Sequence, residues 1–365
     1  MGDAYTIEIN VTKECNFACS YCFEGAHCRE FTDISGRIDD IKAAIEMMFG
    51  DEWFNEVFGS ILIVFWGGEP ILRPDILRSF VDEYKDDERV AFLMYSNGTT
   101  PETIVDIFDC VKDKFEIQIS YDGQPIHDMN RPDLAGTPTG ARAREAIKTL
   151  KDAGFTTLVK STLRTQDMKY IPEVWDDIKE FGDELGEIVQ YSPTIEHKKD
   201  FDPKDIVDFE NALKKIILKE VEFHKEHGRF LLAWVDGDKR QCTLYQVGLF
   251  VDVDGGLYYC HGCPYENECG NLWFGDIADD NLIDLMKNNY MKFKPRTVES
   301  CELCPASACL NCNVVKYINS DKDDFIDRWY DYTSTPVLCD YYKLFGKYNE
   351  VLRRLLRREY DGEKM

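Results

Sequence analysis

The amino-acid sequence predicts an α/β protein that begins with an open, partial (β/α)6 TIM-like barrel and ends in a small, cysteine-rich α+β region. Up to about residue 200, short apolar runs alternate six times with longer helical patterns. Strict alternation of this kind gives a parallel sheet with right-handed crossovers. Beyond residue 236 the repeat stops, and most of the 14 cysteines follow. We therefore expect a barrel over residues 1–200, a connecting helix region over 201–235, and a second domain with a C-terminal helix over 236–365.

Each βα unit can be placed along the chain. The predicted strands are residues 5–11, 61–66, 91–95, 115–120, 156–162 and 187–191. The predicted helices are residues 38–48, 74–84, 101–110, 141–153 and 172–181, followed by a longer amphipathic helix over 201–227. Several helices open on a proline, which is favoured in the first helical turn. Active sites of such barrels lie at the carboxyl ends of the strands, so the loops that follow the strands are the places to look for function.

Composition limits the class of protein. Hydrophobic residues at 44% and aromatic residues at 13% are typical of a packed globular chain. The formal net charge of −25 argues against a nucleic-acid partner, because phosphate binding needs a basic surface. The N-terminus has no apolar signal segment, and no apolar run is long enough to span a membrane. We therefore expect a cytoplasmic protein with no membrane partner, in which dense cysteine indicates metal binding rather than disulfides.

Three cysteines follow the first predicted strand with the spacing C-x3-C-x2-C, namely Cys15, Cys19 and Cys22. Three thiolates on one loop can form one corner of a soft metal site. A 4Fe–4S cluster needs four ligands, so three cysteines leave one iron open to a small molecule. The alternatives are three unrelated thiols or part of a zinc site.

This cysteine pattern, with the aromatic Tyr21 before its third cysteine, resembles the radical S-adenosylmethionine (radical SAM) family. The resemblance implies a 4Fe–4S cluster on these cysteines and SAM bound beside it, with Tyr21 close by. It also implies that the loop after the second strand contacts the amino group of SAM and that the loop after the third strand lies near the cofactor. The residues so implicated are Gly67, Gly68, Glu69, Pro70, Ser96 and Asn97.

Two later strand ends carry further candidates. Ser161 and Arg164 lie at the end of the fifth predicted strand and, by the resemblance, contact SAM. After the fourth strand, residues 120–131 resemble a stretch of peptide-modifying radical SAM enzymes and sulfatase maturases. Asp122 in this stretch is a candidate catalytic base or substrate anchor. The alternative is an aspartate that only forms a turn into the following glycine.

The C-terminal cysteines resemble the SPASM domain, the auxiliary-cluster extension of radical SAM maturases. The pattern C-x12-G-x4-C runs from Cys242 to Cys260 and includes a predicted β-hairpin at 250–259. A C-x2-C-x4-C-x2-C block begins at Cys301, and a lone Cys339 follows. Two gaps of this block are one residue shorter than in the family pattern.

Carried over by position, these cysteines imply two auxiliary 4Fe–4S clusters. The first would be held by Cys301, Cys304, Cys309 and Cys339, and the second by Cys242, Cys260 and Cys312. The family position for a fourth ligand of the second cluster holds no cysteine here. That cluster therefore keeps an open iron or recruits Cys263 or Cys269. Because C-x2-C pairs are also typical of zinc sites, structural zinc stays open as the alternative.

Taken together, the resemblance implies a maturase that cleaves SAM to a 5′-deoxyadenosyl radical and abstracts hydrogen from a residue of a ribosomally made peptide. The product would be a thioether or C–C cross-link, or an oxidised residue. One alternative is sulfatase-maturase-like oxidation of Cys or Ser to formylglycine in a protein. An alternative of another class is a non-catalytic iron–sulfur or zinc protein. Expected partners are the precursor peptide or protein, a flavodoxin- or ferredoxin-type electron donor and, since the barrel begins almost at Met1, a separate leader-binding protein.

Overall fold

The computed structural model describes residues 4–22, 24–25, 31–189, 191–196, 202–232, 247–261, 272–293, 320, 322–323 and 336–362. The described residues divide into two compact units. Unit 1 takes them from the ranges 1–120, 131–158 and 243–295, and unit 2 from the ranges 121–130, 159–242 and 296–365. Both units are discontinuous in sequence, and the domain boundaries expected at residues 200 and 235 stay predictions.

The strands and helices follow each other as the repeat predicts. The strands are β1 (Tyr5–Asn10), β2 (Ile61–Trp66), β3 (Val90–Ser96), β4 (Phe115–Ser120), β5 (Thr156–Leu163), β6 (Ser192–Ile195), β7 (Gly248–Val251), β8 (Gly256–Tyr258) and β9 (Trp273–Asp276). The α-helices are α1 (Ile38–Gly50), α2 (Glu52–Val57), α3 (Pro74–Tyr84), α4 (Pro101–Phe108), α5 (Ile126–Asn130), α6 (Gly140–Asp152), α7 (Ile171–Leu185), α8 (Pro203–His227), α9 (Leu282–Lys292) and α10 (Pro336–Gly362). Among the described residues, no helix combines the length and the apolar composition needed to cross a membrane.

Unit 1 is built on a mostly parallel sheet. Strands β1 to β4 lie side by side in chain order, each parallel to the next. Strand β7 pairs parallel with the free side of β1, and β8 and β9 continue the sheet with antiparallel pairings. The carboxyl ends of β1, β2 and β3 therefore meet at one edge, where the loops with the candidate site residues begin.

Helices cover one face of this sheet. Side chains along a strand alternate between the two faces, so every second residue of a strand faces these helices. In β3, Phe92 is buried whereas Tyr95 is half-exposed. Phe65 of β2 stacks on Phe92 with 6.1 Å between ring centroids and meets the edge of Phe80 from α3. Burying each such ring contributes roughly 1.5–3 kcal/mol. The helix-covered face therefore forms the core, and the candidate site residues lie in the loops at the sheet edge.

Unit 2 contains most of β5, together with β6, α7, α8 and α10. Strand β6 pairs parallel with β5, with Lys160 opposite Ser192. Helix α10 packs on α8 through Phe345 and Phe209, whose ring centroids lie 4.8 Å apart.

A buried carboxylate joins α7 to the turn that follows α8. Glu220 is fully buried and accepts a hydrogen bond from the Trp175 indole Nε1 at 2.6 Å. The same carboxylate accepts from the backbone N–H groups of Leu231 and Leu232, at 3.1 and 3.2 Å. Because a buried polar group is costly unless it is hydrogen-bonded, these three donors and the carboxylate stabilise one another.

The predicted α/β class with parallel strands is confirmed, and the predicted bounds of the second and fourth strands match β2 and β4. The predicted hairpin at 250–259 is confirmed as β7 and β8. The sixth predicted strand, residues 187–191, was wrong, because the strand begins at Ser192. Gly186 ends α7 with φ 68°, and the N–H of Glu187 still bonds to the carbonyl of Gly182 at 3.0 Å. The chain therefore leaves the helix too late for a strand to start at Glu187.

Candidate active site

The loop with Cys15, Cys19 and Cys22 leaves the carboxyl end of β1 and is held in place by its backbone. The N–H of Ala18 donates to the carbonyl of Pro132 at 2.8 Å, and Phe17 forms an isolated bridge with Asp133. Both partners come from the segment that precedes α6 in the same unit. The cysteine loop is therefore fixed to the scaffold on this side.

The three thiols are half-buried. Burial, the Glu69 carboxylate and the two neighbouring thiols raise the pKa of Cys15, and the N–H of Phe17 acts against this increase. Three cysteines on one accessible loop suit a corner of a 4Fe–4S cluster, whose irons would favour the thiolate forms. In the part of the chain that the structure describes, no group of three or more His, Cys, Asp and Glu side chains lies at metal-ligand distances.

Gly67 and Gly68 let the loop after β2 pack directly on the backbone that enters the cysteine loop. A Cβ atom on Gly68 would lie 2.3 Å from the carbonyl oxygen of Glu14, and one on Gly67 would lie 2.5 Å from that of Thr12. The N–H of Gly68 donates to the Thr12 carbonyl at 2.7 Å. This contact with the protein's own backbone explains the two glycines, and their expected approach to SAM stays a prediction.

Glu69 is buried at the junction of two loops, with 1% of its surface exposed. Its carboxylate accepts hydrogen bonds from the Asn97 N–H at 2.7 Å and from the Ser96 hydroxyl at 2.8 Å. It also caps the short 3-10 helix that begins at Pro70, through the N–H of Ile71 at 3.4 Å. Burial raises the pKa of Glu69 to about 7, and the three hydrogen bonds act in the opposite direction. The loops after β2 and β3 are thus joined by a carboxyl group that titrates near neutral pH.

Asn16, which no sequence pattern marked as a candidate, links the cysteine loop to the loop after β3. Its side-chain oxygen accepts from the Asn97 amide at 2.8 Å, and its amide nitrogen donates to the Thr99 hydroxyl at 2.9 Å. Its position directly after the first cysteine was the available signal, but sequence cannot show which loop an asparagine will reach.

Tyr21, the aromatic residue of the cysteine pattern, lies beside a cation. The guanidinium of Arg131 is 5.1 Å from the centroid of the tyrosine ring, within the range of a cation–π interaction. The structure therefore gives Tyr21 a protein partner in unit 1, and its expected closeness to SAM stays a prediction.

Asp122 belongs to unit 2 and is fully buried. Its carboxylate accepts the N–H of Thr162 at 2.9 Å, and its backbone carbonyl accepts the hydroxyl of Tyr191 at 2.7 Å. The same tyrosine hydroxyl pairs with the hydroxyl of Ser161, also fully buried, at 2.7 Å. This geometry gives the Asp122 carboxylate a structural partner on β5 rather than in its own turn, and it engages the Ser161 hydroxyl within the protein. The catalytic role of Asp122 and the SAM contact of Ser161 stay predictions without support from this arrangement.

Arg164 follows β5 and keeps part of its side chain at the surface. Its Nε donates to the buried carboxylate of Asp167 at 2.8 Å, and Asp167 also accepts from the Asn130 amide at 2.8 Å. The side chain of Arg164 is 17% exposed. The guanidinium is thus oriented by a buried carboxylate, and its expected contact with SAM stays a prediction.

Two of the candidate auxiliary ligands lie in the described residues, and both are half-buried. Cys260 follows β8 in unit 1, and Cys339 lies in α10 of unit 2. The remaining candidates, Cys242, Cys301, Cys304, Cys309 and Cys312, and the possible substitutes Cys263 and Cys269 lie outside the described residues. The auxiliary ligand sets therefore stay predictions.

His261, next to Cys260, anchors this part of the chain to the sheet. Its Nδ1 lies 2.9 Å from the carboxylate of Glu8 on β1, and its ring stacks on Trp66 with 4.0 Å between centroids. Although burial acts to lower it, the pKa of His261 is raised to about 9 by Cys260 and by the Glu8 carboxylate. Cys260 is thereby held close to the strand that leads into the cysteine loop, a relation that the sequence pattern did not reveal.

Comparison with known proteins agrees with these observations. Residues 9–185 match the family model of the Radical SAM superfamily. A radical SAM cyclopropyl synthase, TigE of Paramaledivibacter caminithermalis, is 21% identical over 380 residues, which cover 97% of this chain and 74% of that protein. The structure of native anSMEcpe with bound AdoMet and Cp18Cys peptide matches with a TM-score of 0.66 at 18% identity, over 97% of this chain and 99% of the other. Streptococcus suis SuiB bound to S-adenosylmethionine matches with a TM-score of 0.58 at 13% identity, over 88% of this chain and 75% of the other. At such identities the structural matches establish the fold.

Proposed function

We propose that this enzyme, whose residues 9–185 are a radical SAM domain, cleaves SAM reductively and abstracts a hydrogen atom from a residue of a peptide or protein. The product would carry a thioether or C–C cross-link, or an oxidised residue. A soluble flavodoxin- or ferredoxin-type protein would supply the electron for each cleavage.

The observation that carries the proposal is the convergence of three loops of unit 1. The cysteine loop, the loop 67–70 and the loop 96–99 leave the carboxyl ends of adjacent strands β1, β2 and β3. They are hydrogen-bonded to one another through backbone groups and through Glu69 and Asn16. A soft-metal donor set thus lies on the same sheet edge as a buried carboxyl group, an arrangement suited to a small molecule with an ammonium group.

The residues present suit a 4Fe–4S cluster with SAM, which when bound supplies one-electron cleavage of SAM to methionine and a 5′-deoxyadenosyl radical. Cys15, Cys19 and Cys22 would hold the cluster and leave one iron open. Glu69, in its ionised form, would accept a hydrogen bond from the SAM ammonium. The protein would otherwise orient the cofactor and exclude water.

A peptide or protein substrate is supported by the fold shared with anSMEcpe, whose structure contains AdoMet and a peptide. Formylglycine formation from Cys or Ser is the second candidate, since the same neighbour was determined with a Cp18Cys peptide. Either substrate could need a separate leader-binding protein. The acidic chain, with a net charge of −25, would favour a basic peptide segment through electrostatic steering.

Two auxiliary 4Fe–4S clusters in a SPASM-type domain over residues 236–365 belong to the same proposal. They would accept the electron that remains on the oxidised substrate or bind a substrate thiolate. Their ligands would be the sets that include Cys260 and Cys339, whose half-buried thiols are compatible with metal binding.

Deuterium transfer tests the substrate class. Reconstituted, reduced enzyme would be incubated with SAM and a peptide mixture from fully deuterated cells, with the same mixture hydrolysed to free amino acids as the control. We expect mono-deuterated 5′-deoxyadenosine from the peptide mixture alone. Deuterium from the hydrolysate alone would contradict a peptide substrate. Aldehyde labelling of the peptides by a hydrazide would select formylglycine formation over cross-linking.

A further inference from the structure

We propose that Asn16 is a positioning residue for SAM, because it holds the cysteine loop in register with the loop after β3. The proposal rests on the function proposed above. Asn16 directly follows Cys15 and is half-buried. Its side chain reaches across to residues 97 and 99, more than 80 positions away in the chain. A residue that packs only within its own loop would not make such contacts.

Three side chains form a closed ring of hydrogen bonds. Asn16 Nδ2 donates to the Thr99 hydroxyl oxygen at 2.9 Å, and Asn97 Nδ2 donates to Asn16 Oδ1 at 2.8 Å. The Thr99 hydroxyl completes the ring by donating to Asn97 Oδ1, which also accepts the Thr99 N–H at 3.0 Å. Every donor in the ring faces an acceptor, so neither amide can flip without placing two donors opposite each other. Such closed polar networks hold their members in one arrangement.

The ring also connects to the carboxyl group proposed to bind the SAM ammonium. The backbone N–H of Asn97 donates to Glu69 at 2.7 Å, so Asn97 contacts Asn16 through its side chain and Glu69 through its main chain. Asn16 is covalently joined to Cys15 at the other end. The positions of the first cluster ligand and of the ammonium acceptor are therefore linked through Asn16 and Asn97.

This linkage determines what the loss of Asn16 would change. SAM in the proposed site must reach the open iron and Glu69 together, so its affinity depends on the distance between the cysteine loop and the Glu69 carboxylate. The cysteine loop keeps its separate backbone bonds to Gly68, Glu69 and Pro132. We therefore expect Asn16→Ala to retain its iron and to bind SAM about tenfold more weakly, as expected for the loss of one to two net hydrogen bonds.

The test uses the reconstituted, dithionite-reduced full-length protein and follows the electron paramagnetic resonance spectrum of the cluster during titration with SAM. Asn16→Ala should match the parent in iron content and require about tenfold more SAM for the half-maximal spectral change. Asn55→Ala is the matched control, because Asn55 also makes two side-chain hydrogen bonds, to the carbonyls of Phe49 and Asp51, but lies in α2. It should bind SAM like the parent.

A double-mutant cycle with Thr99→Val distinguishes positioning from a general loss of stability. If both residues act through the ring, Thr99→Val should weaken SAM binding, and the double variant should be little weaker than Asn16→Ala alone. SAM binding by Asn16→Ala within twofold of the parent, or additive losses in the double variant, would overturn the proposal. Loss of iron from Asn16→Ala would also overturn it, because Asn16 would then serve cluster assembly. A parent protein without any SAM-induced spectral change would instead refute the proposed function.

Discussion

Replacement of Glu69 by glutamine should remove one contribution to the pH dependence of the free energy of unfolding. Glu69 is buried, and burial raises its pKa to about 7 from an ordinary value of 4.5. A carboxyl group with a raised pKa in the folded state favours folding while it is protonated. Its contribution is fully present below pH 4.5 and is lost as the pH rises through 7.

The magnitude follows from the two pKa values. One pKa unit corresponds to about 1.4 kcal/mol, so the shift of Glu69 amounts to about 3 kcal/mol in total. Most of it, about 2.5 kcal/mol, is lost between pH 5 and pH 8. Glutamine has no such titration. Its oxygen can still accept from Asn97, and its amide can donate to the Ser96 hydroxyl, so the bonds between the two loops are retained and only the long bond from the Ile71 N–H is lost.

Anaerobic urea unfolding of the parent and of Glu69→Gln at pH 5, 6, 7 and 8 measures this contribution. The free energy of unfolding of the parent should fall relative to the variant by about 2.5 kcal/mol over this range. Glu56→Gln, at an exposed position in α2, should follow the parent at every pH. A difference between Glu69→Gln and the parent that stays constant with pH would refute the account of Glu69 as a buried, titrating carboxyl group.

Three further variants test packing and roles. Gly68→Ala should lower the free energy of unfolding by 2 kcal/mol or more, on the order of a severe core clash, because the new Cβ would lie 2.3 Å from a backbone oxygen. Gly50→Ala is the control, because no atom of the described residues beyond its chain neighbours and its own helix backbone would lie within 4 Å of its Cβ, and it should not destabilise the protein. Equal urea midpoints for the two variants would contradict the contact at Gly68. Trp175→Phe should lower the free energy of unfolding in urea by about 1–3 kcal/mol, because it removes one donor from the fully buried Glu220. A decrease below 0.5 kcal/mol, roughly the size of a neutral surface change, would mean that the bond contributes little. Asp122→Asn keeps an acceptor for the N–H of Thr162, so SAM cleavage and product yield should stay near those of the parent; loss of product with intact cleavage would restore the catalytic role.

The sequence was sufficient to predict elements whose ends are marked by local residues such as glycine and proline. The apolar run of β2, bounded by the turn before it and by two glycines, gave the strand ends correctly. The helix α3, which opens at Pro74, was placed correctly for the same local reason. The cysteine loop and loop 67–70 were expected at one edge of the sheet because parallel strands end at the same edge, and their backbones are hydrogen-bonded there.

Sequence was insufficient where the outcome depends on long-range contacts. No local signal shows that Asn16 meets Asn97 and Thr99, or that His261 meets Glu8 across more than 250 positions. The sixth strand was misplaced because α7 ends at Gly186 in a left-handed turn that still includes Glu187, and the strand begins only at Ser192. No local signal shows either that the Ser161 hydroxyl pairs with the hydroxyl of Tyr191, and the contact of Ser161 with SAM stays a prediction.

The central claim is that Cys15, Cys19 and Cys22 hold a cluster that cleaves SAM. The most direct measurement is anaerobic reconstitution followed by iron and sulfide counting and by quantification of 5′-deoxyadenosine after addition of SAM and dithionite. The account predicts about twelve irons per chain for three four-iron clusters, together with 5′-deoxyadenosine. In the variant with all three cysteines changed to alanine, about eight irons should remain and cleavage should cease. Cleavage that persists in this variant, or bound zinc with no cleavage in the parent, would contradict the account.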